Sequence, residues 1–257
     1  MERRFPAHNR RLRALATHTV SGQRLSPVAS PSTLPQAAPR LVSGRGAHHA
    51  YPRRITSPSA WVGSELLQDE ESWRICLGSA ELAELRVAQS VIVRQALRPP
   101  SAVLDSLSLG PACQALGERI RAGLNTGRGF WLVHGFPVEG ANVDFVGSLY
   151  YRFCREVGVA VTQNSEAGLL HKVTDGTGRP QQGGRGVGNP GPVRLHVDLT
   201  DCVSLLCVRQ APDDPYSCVG STPNLYNKVV DQRPEFLPAL FRGYRWTRQG
   251  EALPHEG

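Results

Sequence analysis

Helical patterning dominates the chain from Ser79 to Gly158 and then fades, leaving short apolar runs between Gly- and Pro-rich loops. That change of period constrains the fold more than any single motif. "GSAELAELRVAQSVI" predicts a helix with Ser79 as its N-cap and Leu82, Leu85 and Ala88 or Gln89 along one face. "GPACQALGERIRAGLNTG" predicts a second, with Pro111 near its first turn and Gly127 just past its end. "NVDFVGSLYYRFCREVG" predicts a third, capped by Asn142 and closed by Gly158. Between the last two, "GFWLVHGF" (129–136) reads as a short buried strand. Beyond Gly158, short strands are predicted at "VAVT", "LLHKVTD", "VRLHVD", "VSLLCVR" and "YSCVG", a last helix at "TPNLYNKVVDQ", and a strand-like "YRWTR" after "RPEFLPALF". Helices first and strands later predict an α+β protein with helices packed outside a sheet.

The charge sits at one end. Residues 1–54 hold ten arginines and one acid, Glu2, out of 29 basic and 22 acidic residues in the chain. The remainder is close to neutral, which argues against a nucleic-acid groove despite the overall +7. Residues 1–57 are rich in Arg, Ser, Ala and Pro, and "LSPVASPSTLPQAAPR" cannot fold alone. That composition suits an organellar transit peptide or a non-targeting extension. The expectation is an intracellular protein, mitochondrial if the leader targets it and cytoplasmic if not. Order is expected from residue 58, with Trp61 and Trp73 as the first large apolar anchors. No apolar run reaches the length of a transmembrane helix. The six cysteines, Cys76, Cys113, Cys154, Cys202, Cys207 and Cys218, form no CxxC and read as reduced thiols.

Most motifs fail a context test. "GVGNPG" (186–191) matches G-x-G-x-x-G, but Pro190 lies inside it and Pro192 and a strand follow, so it reads as a loop. There is no phosphate loop, G-x-S-x-G, H-E-x-x-H or zinc-finger spacing. "RLHVDLTDCVSLLCV" (194–208) holds His196 and Asp198 one residue apart. Eight His and nine Asp make about 0.3 such pairs by chance, so the tripeptide alone is not specific. On a strand, however, residues i and i+2 share a face, and an imidazole and a carboxylate so placed can meet at one metal. Two His and a carboxylate on one octahedral face are the ligands of non-haem Fe(II) oxygenases. The competing reading is a hydrogen-bonded His–Asp pair on a half-exposed strand.

From residue 58 onward the chain resembles the taurine-dioxygenase-like (TauD/TfdA) family of Fe(II)/2-oxoglutarate-dependent dioxygenases. The likeness rests, in order, on "SAWVGSEL" with "SWRICLGSAELAEL", "GRGFWLVHGFPVE", "VGVAVTQNSEAGLLHKVTD", "LHVDLTDCVSLLCVRQAP" and "STPNLYNKVVDQRPEFLPALF". The resemblance implies a double-stranded β-helix, a jelly roll flanked by helices. It implies His196 and Asp198 as two iron ligands, a 2-oxoglutarate-contacting hydroxyl at Ser217 or Ser221, and Gln163 and Asn164 at the mouth of a small-molecule substrate site. "DDPYSC" departs from the family's Gly-Gly turn before that hydroxyl.

The family's distal His and 2-oxoglutarate-binding Arg have no counterparts here. His255 is the one histidine after Asp198, in "LPHEG", and Arg242, Arg245 and Arg248 precede it. The expectation is therefore a C-terminally incomplete jelly roll over 58–257, with exposed strand edges and two iron ligands in place of three. Two functions follow: an oxygenase-family chain that is inactive as it stands, or a non-catalytic relative keeping the scaffold for binding or assembly.

Overall fold

The computed structural model describes residues 51, 53–163, 167–174, 195–198, 200–210 and 217–243. Its frame is a pair of three-residue strands, β1 (Arg74–Cys76) and β2 (Leu132–His134), running parallel with Ile75 opposite Val133. Parallel strands cannot be joined by a tight turn, so the chain between them is a crossover. It contains α2 (Ser79–Arg94), α3 (Ala102–Ser106) and α4 (Pro111–Thr126), and α5 (Val143–Cys154) follows β2. A short α1 (Gly63–Leu66) precedes the strands.

Local chemistry sets the helix ends. Gly78, not Ser79, is the N-cap of α2, because the Glu81 carboxylate reaches back to accept from the Gly78 N–H at 2.9 Å. Ser79 is thus the first helical residue. Helix α4 starts on Pro111 and stops at Gly127, as its sequence predicts. Asn142 caps α5 by accepting from the Asp144 N–H at 2.8 Å, and the Gly158 N–H closes the following turn on the Cys154 carbonyl at 3.0 Å.

The buried faces meet in one core. Leu85, Ala88 and Ile92 of α2 pack with Cys113, Leu116 and Ile120 of α4 and with Leu149 and Phe153 of α5, over Ile75 of β1. Leu85, Ile92 and Leu149 are fully buried. Helices α4 and the end of α5 meet closely at Gly117, where a Cβ would stand 2.6 Å from Glu156 Cβ. A smaller cluster holds Trp61, Leu66 and Trp73 against Phe130. The indole N–H groups there donate to Arg128 O and Leu66 O at 2.9 and 2.8 Å.

One buried-edge contact locks α2 to α4. The Glu84 carboxylate accepts from the first free N–H groups of α4, Ala112 at 3.0 Å and Cys113 at 2.8 Å. Gly110 must be small for this, since a Cβ there would lie 2.3 Å from the carboxyl group.

Helices α6 (Thr222–Gln232) and α7 (Leu237–Phe241) form a separate unit docked on residues 51–59. The Asn227 side chain accepts from Ile55 N–H at 2.7 Å and donates to Ile55 O at 2.8 Å, while Arg54 pairs with Asp231. The Tyr51 ring lies 5.0 Å from Phe241, so packing extends upstream of the expected boundary at residue 58.

The strand readings after Gly158 are not met among the described residues. The described parts of 159–162, 169–174, 195–198, 203–209 and 217–220 join no ladder. A strand is defined by a ladder partner for its N–H and C=O groups, and the described ladder joins only β1 and β2. Val159, Leu195, Val197 and Leu205 are correspondingly 82%, 76%, 76% and 81% exposed. "GVGNPG" and "YRWTR" lie outside the described residues.

Burial pushes the Glu84 carboxyl up, but the bonds from Cys113 and then Ala112 outweigh it and hold it below its ordinary 4.5. A depressed carboxylate stabilises the fold above its unfolded pKa, and that contribution is lost as pH falls through the folded value. Glu84→Gln is therefore expected to be less stable than the parent at pH 7, with the gap closing below pH 4.5. Urea titrations across that range measure it.

Candidate functional site

His196 and Asp198 lie in the described stretch 195–198, both exposed. His196 Nε2 stands 3.8 Å from Asp198 Oδ1. Two donors on one cation, each about 2.1 Å from it, sit about 3.0 Å apart when adjacent and at most about 4.2 Å apart. The pair therefore fits a shared cation after a small side-chain rotation. Among the described residues no group of three or more His, Cys, Asp or Glu gathers at a common point. His255, Arg245 and Arg248 lie outside the described residues, and Arg242 is exposed just past α7.

Two described segments on either side of this pair in sequence contact α5. Downstream, the Tyr150 hydroxyl donates to Ser204 Oγ at 2.6 Å, and Cys154 Sγ lies 3.6 Å from the same oxygen. Tyr150 and Cys154 are four residues apart and share a helix face. Burial, and then the neighbouring Cys154, push ionisation of Tyr150 above the ordinary tyrosine range, so its hydroxyl keeps the proton that it donates to Ser204. Upstream, Lys172 pairs with Asp144 in the first turn of α5, and that bond holds the Asp144 carboxyl below its usual range. Sequence reading missed this role of α5. The available signal was the spacing of Tyr150 and Cys154, polar tips on an otherwise apolar helix.

The remaining predicted site residues are dispersed. Gln163 belongs to a local turn: its backbone N–H donates to Gly168 O at 2.7 Å and its amide to Val161 O at 3.0 Å. Asn164 lies outside the described residues. Ser217 is exposed. Ser221 is the N-cap of α6, accepting from the Asn224 N–H at 2.9 Å and donating to Ser59 O at 2.6 Å. It borders a cleft of about 170 Å³ with Trp61, Arg128 and Phe130.

No family model matches the chain. FR-33289 synthase of Streptomyces rubellomurinus (strain ATCC 31215) is 26% identical to it over 204 residues, covering 79% of this chain and 60% of that protein. The chain thus spans about three fifths of this relative's length. It is distantly similar to an enzyme named as a synthase. No helix among the described residues is long and apolar enough to cross a membrane.

The two serines are expected to separate on mutation. Ser221→Ala should lower the unfolding free energy by about 1 kcal/mol through loss of the cap. Ser217→Ala should change it by less than about 0.5 kcal/mol. Urea unfolding of both variants checks the difference.

Proposed function

We propose that this chain belongs to the non-haem Fe(II)/2-oxoglutarate-dependent oxygenases, with His196 and Asp198 as two of the protein's iron ligands. The observation that carries the reading is the His-x-Asp pair itself, with donor atoms 3.8 Å apart, inside the segment that most resembles the family's metal strand. The distant similarity to a synthase over 204 residues supports an enzymatic ancestry. In this reading the helices described here are the flanking layer of a jelly roll, and the substrate is a small organic molecule. When bound, Fe(II) would let O2 oxidise 2-oxoglutarate to succinate and CO2 while a substrate carbon is hydroxylated. The residues of this chain would hold the metal through an imidazole nitrogen and a carboxylate oxygen and position both from one short stretch of backbone.

A second reading is a non-catalytic relative that keeps the scaffold for binding or assembly. It is favoured by the missing third donor among the described residues and by the exposure of both side chains, 57% for His196 and 45% for Asp198.

Anaerobic Fe(II) titration against a chromophoric chelator, followed by a succinate assay with 2-oxoglutarate and O2, separates the readings. His196→Ala and Asp198→Ala should each weaken Fe(II) binding by at least about tenfold, the scale on which even outer-shell partners of a metal act. Succinate formation that depends on both residues supports the oxygenase. Iron binding without succinate supports the second reading. Fe(II) binding that neither substitution changes overturns the metal assignment.

A further inference from the structure

Three places in the molecule invite a function beyond the metal pair. An apolar cleft of about 270 Å³ between α2 and the loop before α4 is bordered by Val87, Val91 and Leu107, and nothing in the structure indicates an occupant. The cleft beside Ser221 has Arg128 on its wall, but that guanidinium is already bonded to Ser72, Pro58 and Asp69. The third place is the junction between α5 and residues 202–204, where Cys154 meets Ser204, two residues from Cys202.

Cys154 Sγ lies 3.6 Å from Ser204 Oγ, and Cys202 is two residues before that serine. Two residues span at most about 7 Å. Cys202 is also near enough for its charge to act on both Cys154 and Tyr150. A disulfide needs Cα atoms about 4.4–6.8 Å apart, so the crosslink requires the 202–204 segment to shift along α5 until Cys202 takes the place of Ser204 beside Cys154. The other cysteines are placed differently: Cys113 is buried in the core beside Glu81 and Glu84, its thiol pushed up to about 12 by burial and then by Glu84, and Cys76 is on β1. Cys207 and Cys218 are exposed.

We propose that Cys154 and Cys202 form a redox-controlled crosslink that fastens the segment bearing His196 and Asp198 to helix α5. With glutathione disulfide as oxidant, the exposed Cys202 thiolate attacks one glutathione sulfur, the S–S bond breaks, and one glutathione thiolate leaves. The Cys154 thiolate then attacks the Cys202 sulfur and expels the second glutathione. Two protein thiols lose two electrons and two protons, and one glutathione disulfide becomes two glutathione thiols. Partial desolvation of the two sulfurs pushes both thiols above the ordinary range, so the reaction is favoured at mildly alkaline pH. Any effect of the crosslink on iron rests on the metal assignment proposed above; the crosslink itself does not.

The test incubates the full chain with glutathione disulfide at pH 8, quenches with acid and maps peptides without reductant. The linked peptide joining Cys154 to Cys202 is expected to dominate the intramolecular disulfides, and its excess should disappear when the same reaction is run in concentrated urea. Amide hydrogen exchange over 195–205 should slow by about tenfold on oxidation, as for a segment that no longer opens locally. Cys202→Ser, at an exposed position, should abolish both the linked peptide and the slowing; Cys154→Ser should do the same. Pairing of Cys202 with Cys207 or Cys218, or a disulfide mixture equal to that in urea, overturns the proposal. A Cys154–Cys202 bond that leaves exchange unchanged overturns the fastening. Neither readout contains a metal, so failure here leaves the iron titration to decide its own question.

Discussion

The parallel pairing of β1 with β2 is the constraint on which the described fold depends. Two strands of three residues contribute few hydrogen bonds of their own, yet their direction dictates that everything between Leu77 and Trp131 must leave the sheet and return. The crossover is long enough for three helices, and those helices with α5 supply most of the buried apolar residues of the main core. The strands orient the layer, and the layer in turn stabilises strands too short to persist alone. Glu84 fixes the angle at which this crossover folds back, because one carboxylate on α2 takes up two N–H groups at the start of α4.

Much of the helical layer was legible in the sequence because its signals are local. Pro111 and Gly127 bracket α4, Asn142 opens α5, and an apolar face of period 3.6 runs through each helix. "GFWLVHGF" marks β2 by its apolar run. Its partner β1 went unread, since "RIC" is too short to show alternation. The α2 cap was misplaced by one residue because Ser79 is the better cap by side chain, whereas Glu81 bonds the backbone of Gly78 and shifts the start.

The site was less legible for a different reason. A His-x-Asp spacing specifies two donors, but a third donor is a tertiary fact that no local pattern encodes. Ser221 illustrates the same limit: a hydroxyl in a resembling segment reads equally as a cofactor contact or a helix cap, and only its neighbours Asn224 and Ser59 reveal the cap. Likewise, the strand segments after Gly158 have the composition of strands without described partners, so propensity alone could not settle their pairing.

The Asn227 side chain has a consequence for how the molecule comes together. Its amide imitates a neighbouring strand, giving Ile55 one donor and one acceptor across a separation of 172 residues. Closing that loop with this clasp costs more conformational entropy than making the contacts of α2, α4 and α5, whose partners lie closer in sequence. On the way back it is the natural first opening, since α6 is held through Arg54, Ile55 and Ser59 while the helical core has its own buried interior. The α6–α7 unit shares no buried residue with the main core, so losing its clasp on Arg54, Ile55 and Ser59 would bare those residues to a protease without removing a contact of that core.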